Sequence, residues 1–297
     1  MFFKKADTIV GVSLILSLFI VGCATSEKNR GDLSGADTVW KKKIVVLPFA
    51  DLPGYEAEEL GLIATRQFRQ ALVKDCKGLV VEDEKRGRHL EALVRTPEGM
   101  GSMQVTRVAR ALGLNAILTG ELPAIKTFEQ KEGIWPFRKI VPAVSLELEV
   151  RLYDVETRAI LLSERAKAST KIPEALSQSG DQHCDFEVVT RLLQEAVHEL
   201  SRRVCNVMKE EPFKGYVISL EGDKVEISAG ADTGLHKGDV LKVFGWEPPL
   251  EGKDGQVFLI SGPCIGEIKV EEVFQHTSIA EVISGVDLDK SNCVKAK

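Results

Sequence analysis

The hydrophobic pattern along this chain changes period several times, and each period predicts an element. Ile44-Val45-Val46-Leu47 is an apolar run without alternation, the mark of a strand covered on both faces and central in its sheet. Leu60, Ile63, Ala64, Phe68, Ala71 and Leu72 then recur at spacings of three and four, which puts them on one face of a helix. Residues 79–81 read as the next strand, and Leu90, Leu93 and Val94 as a short helix broken by Thr96-Pro97-Glu98-Gly99. Val105, Val108, Ala109 and Leu112 make a further helix, with Gly113 as its C-terminal cap. Residues 115–120 re-enter the sheet. A polar stretch over 126–142 reads as a loop. Beyond it Val144, Leu146, Leu148, Val150 and Leu152 alternate with Ser145, Glu147, Glu149, Arg151 and Tyr153, as in a strand with one wet face. A turn at 154–158 returns the chain as an antiparallel partner over 159–168. A long helix over 185–208 carries Val189, Leu193, Ala196, Val197, Leu200 and Val204 on one stripe, a core face rather than a coiled-coil seam.

From residue 211 the segments shorten and glycine turns multiply. Tyr216-Val217-Ile218 and Val225-Glu226-Ile227 flank Glu221-Gly222-Asp223, a hairpin signal. Further strands follow at 240–244, 265–273 and 278–283, and five or six short strands in about 75 residues predict a small, strongly bent β-barrel. Residues 246–255, with Pro248 and Pro249, read as a loop projecting from it. The expected fold class is therefore α+β: a mixed β-sheet flanked by helices in the order β-α-β-α-β-β-β-α, followed by the barrel.

Before the first strand the pattern is of another kind. Lys4 and Lys5 precede 14 uncharged residues, 9–22, which end in Ile20-Val21-Gly22-Cys23. A basic start, an apolar segment too short to span a bilayer and a small residue before the cut make a secretory signal. With cysteine at the cut it resembles a bacterial lipoprotein signal, which implies cleavage before Cys23 and acylation of its thiol and new amine. Two acyl chains already give stable anchoring. Ala24 stands where inner-membrane lipoproteins usually carry Asp, so the resemblance implies the outer membrane, with the body facing the periplasm. Residues 24–39 are polar and read as a tether, reaching about 55 Å at most and about 20–25 Å as a coil. The expected organisation is a signal peptide over 1–22, an anchor and tether over 23–40, an α/β domain over 41–210 and a barrel domain over 211–297.

Composition narrows the function. The chain has 39 basic and 44 acidic residues, and loss of Lys4, Lys5 and Asp7 with the signal moves the net charge from −5 to −6. No basic cluster suggests nucleic acid. Five cysteines remain after Cys23, so at least one has no internal partner. Cys264 and Cys293, both near the C-terminus, are the candidate disulfide; the alternative is that both are free thiols. Trp135, Phe137 and Trp246 are candidate partner contacts, since exposed aromatics in loops anchor interfaces, although Trp135 folding back over its own sheet fits equally.

The chain lacks a phosphate-binding Gly-rich motif, a Gly-x-Ser-x-Gly elbow and a His-Glu-x-x-His pair. His183, Cys184 and Asp185 with His198 and Cys205 do not have zinc-site spacing, and Glu147 with Glu149 reads as solvated sheet surface rather than a glycosidase pair. No enzyme, cofactor or metal is expected. The element order, opening with Ile44-Val45-Val46-Leu47-Pro48-Phe49 and passing through residues 112–120 and the Tyr153-Asp154-Val155 turn, resembles the periplasmic domain of the curli-secretion-channel (CsgG) family. The TolB amino-terminal and LpoB-like lipoprotein domains share that architecture. Residues 234–239 and 265–268 are similar to the C-terminal domain of the FlgT family, an SH3-like barrel. The resemblance implies a non-catalytic scaffold or assembly factor for an envelope machine of curli or flagellar type, binding envelope proteins and forming a homo-oligomeric ring; the alternatives are a regulator of a peptidoglycan synthase and a metal-dependent periplasmic enzyme, for which the sequence offers no coherent site. A channel subunit needs transmembrane strands of nine to eleven residues. Residues 126–142 are too short and too charged for that, so no pore is expected.

Overall fold

The computed structural model describes residues 40–50, 59–96, 99–172, 186–252, 257–285 and 288–296. The signal segment, Cys23 and the tether lie outside them. All described residues belong to one unit, Thr38–Lys297. The elements are β1 (Lys42–Val46), α1 (Glu59–Asp75), β2 (Leu79–Val81), α2 (Glu84–Val94), α3 (Met103–Ala111), β3 (Ala116–Glu132), β4 (Lys139–Asp154), β5 (Ile160–Lys171), α4 (Phe186–Glu210) and barrel strands β6 (Lys214–Glu221), β7 (Lys224–Ile227), β8 (Val240–Glu251), β9 (Val257–Val273), β10 (Ser278–Gly285) and β11 (Cys293–Ala296).

The first sheet has strand order β2-β1-β3-β4-β5, parallel across β2, β1 and β3 and antiparallel from there on. Its two faces explain why β1 shows no alternation. Ile44 and Val46 enter a core with Phe68 and Leu72 of α1 and with Leu193, Leu200 and Val204 of α4. Val45 and Leu47 enter a second core on the opposite face, with Leu90 of α2, Val105 and Ala109 of α3, and Tyr216 and Cys293 of the barrel. Asp83 and Ser102 start α2 and α3 by accepting hydrogen bonds from Lys85 N and Gln104 N. Two helices connect β2 to β3, as the apolar spacings at 90–94 and 105–112 predict, one more than the order β-α-β-α-β-β-β-α counts.

The remaining strands close a six-stranded barrel in the order β10-β7-β6-β11-β8-β9, filled by Val225, Ile227, Leu241, Val243, Ile268, Val270 and Ala280. Gly113 fixes where the barrel meets α3. Its φ is +72°, and a Cβ there would lie 1.9 Å from Ser228 O, so any side chain would collide with barrel backbone. Gly266 lies within β9, where a Cβ would meet Ser284 O at 2.5 Å.

Three sequence expectations are corrected. The stretch 126–142 is no loop, because the β3–β4 ladder continues through Glu132↔Lys139. Residues 246–255 likewise belong largely to a hairpin, with Trp246↔Ser261 and Glu251↔Val257 paired between β8 and β9. The disulfide joins Cys76 to Cys205, at a Cα separation of 5.6 Å, while Cys264 and Cys293 are free. The barrel register forbids the expected pair. Cys293 lies opposite Phe244 and Phe244 opposite Cys264, so the two cysteines are two ladder steps apart, about 9–10 Å, beyond the 7 Å a disulfide can bridge.

Candidate interaction site: a projecting ribbon and a rigid base

The last described β5 pairing is Ala143↔Lys171. Ile172 N then donates to Pro142 O at 2.9 Å, and past it Gln130–Glu132 pairs with residues 139–141 as a two-stranded ribbon among the described residues, which extends about 10 Å by strand rise before the turn. Phe137 N donates to Ile134 O at 2.7 Å to close the tip. Gly133 has φ +103°, and a Cβ there would lie 2.7 Å from Phe137 O, so this tight turn requires glycine. The turn directs its side chains outward: Ile134 is 85% exposed, Trp135 77% and Phe137 84%. Trp135 and Phe137 therefore lie together on one tip, and Trp135 does not fold back over the sheet. Lys131, Arg138 and Lys139 flank the turn, and Glu132 is paired with Lys171.

Trp246 is in a different setting. It is partly buried at the base of the β8–β9 hairpin, its Nε1–H donates to Ser291 O at 3.1 Å, and the Arg110 guanidinium stacks 4.0 Å from its ring centroid. Arg110 in turn donates to Glu156 O at 2.9 Å. The Trp246 ring therefore packs between the barrel and α3 rather than on an open loop.

Glu156 also belongs to a largely buried charge cluster. Lys214 Nζ sits 2.7 Å from Asp154, 3.1 Å from Glu156 and 3.3 Å from Glu211, and Lys295 Nζ lies 2.6 Å from Glu156. Burial works against the Lys214 charge, but Asp154 and Glu156 outweigh it and raise its pKa. Burial likewise opposes the Glu156 charge, and Lys214 and Lys295 outweigh it, so its pKa falls below the ordinary carboxylate value. Burial, aided by Glu156, pushes the Cys293 thiol far up, which keeps it protonated and unreactive. A second sheet–barrel contact is formed where buried Lys43 reaches Asp232 at 3.1 Å, and His276 Nδ1 lies 2.8 Å from the same carboxylate. Arg158, at φ +65° in the β4–β5 turn, donates to Gly101 O at 2.6 Å and to Val257 O of the β8–β9 hairpin. The sheet and barrel are thus joined through several buried polar contacts, and the ribbon projects from a rigid base.

The outer face of β4 and β5 carries the carboxylates weighed as a glycosidase pair. Glu149 accepts from Arg151 at 2.5 Å and Arg165 at 2.6 Å, and Glu147 lies 3.7 Å from Arg165 and 3.8 Å from Lys167. The Arg165 hydrogen bond, helped by Arg151, holds Glu149 below its ordinary pKa despite burial. A carboxylate stabilised as an anion is suited to an ion-pair lattice, not to proton donation. Beside it a cavity of about 480 Å³ opens at the C-terminal end of β1 and along the first residues of β3, lined by Leu47, Phe49, Glu91, Arg95, Glu121 and Arg151, with Glu91 and Arg95 paired at 2.7 Å. Of the residues considered for zinc, His183, Cys184 and Asp185 lie outside the described residues, and the Cys205 sulfur is bonded to Cys76. No described helix is long and apolar enough to cross a membrane.

No family model matches this chain, and no curated protein matches it. Partial similarities to solved structures exist. The hypothetical protein CT253 from Chlamydia trachomatis aligns at a TM-score of 0.43 and 17% identity, over 58% of this chain and 99% of that one. Lipoprotein GNA1162 from Neisseria meningitidis aligns at 0.34 and 13%, over 54% and 99%. The LpoB C-terminal domain from Salmonella enterica aligns at 0.27 and 16%, over 43% and 82%. Bacterial lipoproteins are thus among the proteins this chain is similar to.

Proposed function

We propose that this protein is a non-catalytic lipoprotein, anchored through Cys23 to the outer membrane and facing the periplasm, that acts as a scaffold or assembly factor for an envelope machine. The signal layout ending at Cys23 supports the anchor. The observation that carries the binding role is the ribbon. Three large apolar side chains clustered on one exposed tip leave apolar surface in water at a cost, which contact with another surface removes. The buried carboxylates and lysines at the sheet–barrel junction neutralise one another, an arrangement that serves rigidity. The resemblance to the curli-channel, TolB amino-terminal and FlgT C-terminal families suggests curli-like export or a flagellar structure as the machine, and a homo-oligomeric ring as the form of assembly.

Crosslinking in intact cells, followed by identification of the captured proteins, tests this reading. Assembly components are expected with the wild type and in reduced yield with Trp135→Ala/Phe137→Ala. Capture of a peptidoglycan synthase instead would reassign the protein as a regulator of that enzyme. Capture that is unchanged when Cys23→Ser removes the anchor would contradict the scaffold at the membrane.

A further inference from the structure

We infer that the tip of the β3–β4 ribbon inserts into the interfacial zone of an anionic phospholipid bilayer, giving the protein a second membrane contact besides its lipid. This names the surface met by the ribbon in the function proposed above, and rests on that reading only for which bilayer is met. The ribbon has the two layers that such a contact needs. At the end stand Ile134, Trp135 and Phe137, more than three-quarters exposed, with Ile140 just behind at 60%. Tryptophan and phenylalanine suit the boundary between headgroup and hydrocarbon. Behind them sit Lys131, Arg138 and Lys139, where the register pairs Lys131 with Ile140 and Glu132 with Lys139. These cations lie within one to three residues of the tip, or about 3–10 Å along the strand, within the depth of the headgroup layer when the apolar end is submerged. Of the nearby acids, Glu132 is paired with Lys171, so positive charge prevails around the collar.

Length separates insertion from spanning. Each strand runs about three residues past the last described contact with the β5 side, whereas a membrane strand needs about nine to eleven. The tip can enter the interface and cannot cross the core. Insertion also sets an orientation. Trp40, where the tether joins the described chain, packs on Phe213 at 5.3 Å between ring centroids and against the barrel core. β3 starts at Ala116, two residues past Lys42 in register, and runs 17 residues away to the turn, about 50–55 Å. The tether root and the tip therefore lie at opposite ends of the first sheet, so insertion points the tip end of that sheet at the bilayer and the root away from it, within the tether's reach of about 55 Å.

Flotation tests the inference with the chain from residue 23 carrying Cys23→Ser, so that no acyl group contributes, and vesicles of phosphatidylethanolamine with 30 mol% phosphatidylglycerol. The protein is expected to float with these vesicles, at least tenfold less with Trp135→Ala/Phe137→Ala, and less in 0.5 M salt or with Arg138→Glu/Lys139→Glu. Brominated lipid should quench emission that is absent from Trp135→Phe. Circular dichroism melts of the variants report whether each is folded. No flotation, flotation unchanged in the double variant, or no quenching specific to Trp135 overturns the inference. So does a concentration-dependent dimer, by light scattering, that the double variant abolishes, which would assign the tip to a second copy. Failure of the lipid anchor would appear as absent palmitate incorporation in cells and leaves the vesicle result unaffected.

Discussion

Replacing Lys214 with Met removes the cation at the centre of the sheet–barrel junction and keeps most of its packing volume. Lys214 is buried, and three carboxylates lie within 3.3 Å of its Nζ. Without it Asp154 loses its cation, and Glu156 retains only Lys295 at 2.6 Å. Removing one partner of a buried ion pair typically costs about 3–5 kcal/mol, because a charge remains without compensation. A domain has about 5–15 kcal/mol in total, so Lys214→Met should remove a large part of the stability. Urea unfolding at pH 7, followed by far-UV circular dichroism with the disulfide intact, measures it. Adding Asp154→Asn removes the stranded charge and keeps an amide oxygen to accept from Thr157 N and Oγ1, which Asp154 does at 2.9 and 2.7 Å. The double variant should recover at least about 1 kcal/mol of the loss, the size of coupling expected between contacting groups. A loss below about 1 kcal/mol in the single variant, or strictly additive effects in the double, would refute a stabilising role for the cluster.

Other outcomes follow from the same structure. Non-reducing peptide mapping should recover Cys76 linked to Cys205, and Cys76→Ser/Cys205→Ser should lose about 2–5 kcal/mol; a linked Cys264–Cys293 peptide would contradict the barrel register. Gly113→Ala should cost at least about 2 kcal/mol by urea unfolding, since it combines a positive φ with a backbone collision; a neutral result would mean that α3 and the barrel are not packed as described. Glu149 and Glu156 both have pKa values below the ordinary one. Their stabilisation is present above the unfolded carboxylate value, about 4.3, and is lost as pH falls through the folded values. The melting temperature should therefore drop steeply below pH 4.5, and less steeply in Glu156→Gln. Trp135→Ala should leave stability within about 0.5 kcal/mol, and a larger loss would mean that the ring packs on the body.

What the sequence disclosed tracks where burial enforces a period. The unbroken apolar run at 44–47, the stripe on α4 and the alternation at 144–152 each mark a face in contact with a core, so those elements can be read directly. The ribbon could not be read, because neither of its faces is buried. Backbone pairing there continues through Lys126, Glu129, Lys131 and Lys139 with no apolar period to announce it. The disulfide was hidden for a different reason. Cys76 and Cys205 are 129 residues apart, and only the packing of α1 on α4 brings them together. Proximity in sequence suggested the pair Cys264 and Cys293, which strand order keeps apart. The junction cluster draws Asp154, Glu156, Lys214 and Lys295 from separate segments, and each alone resembles an ordinary surface charge. The setting of Trp246 was hidden for the same reason, since its partner Arg110 belongs to a helix far away in the chain. Trp135 and Phe137 stand out in the sequence as aromatics in a charged stretch, and both are exposed, although the element that holds them was not legible.

Palmitate labelling with membrane fractionation tests the central claim most directly. Cells expressing the full chain, and the same chain with Cys23→Ser, are grown with labelled palmitate and separated into outer-membrane, inner-membrane and soluble periplasmic fractions. The account predicts label on the wild type, recovery of that protein with the outer membrane, and neither for Cys23→Ser. An unlabelled wild-type protein released by osmotic shock would contradict it.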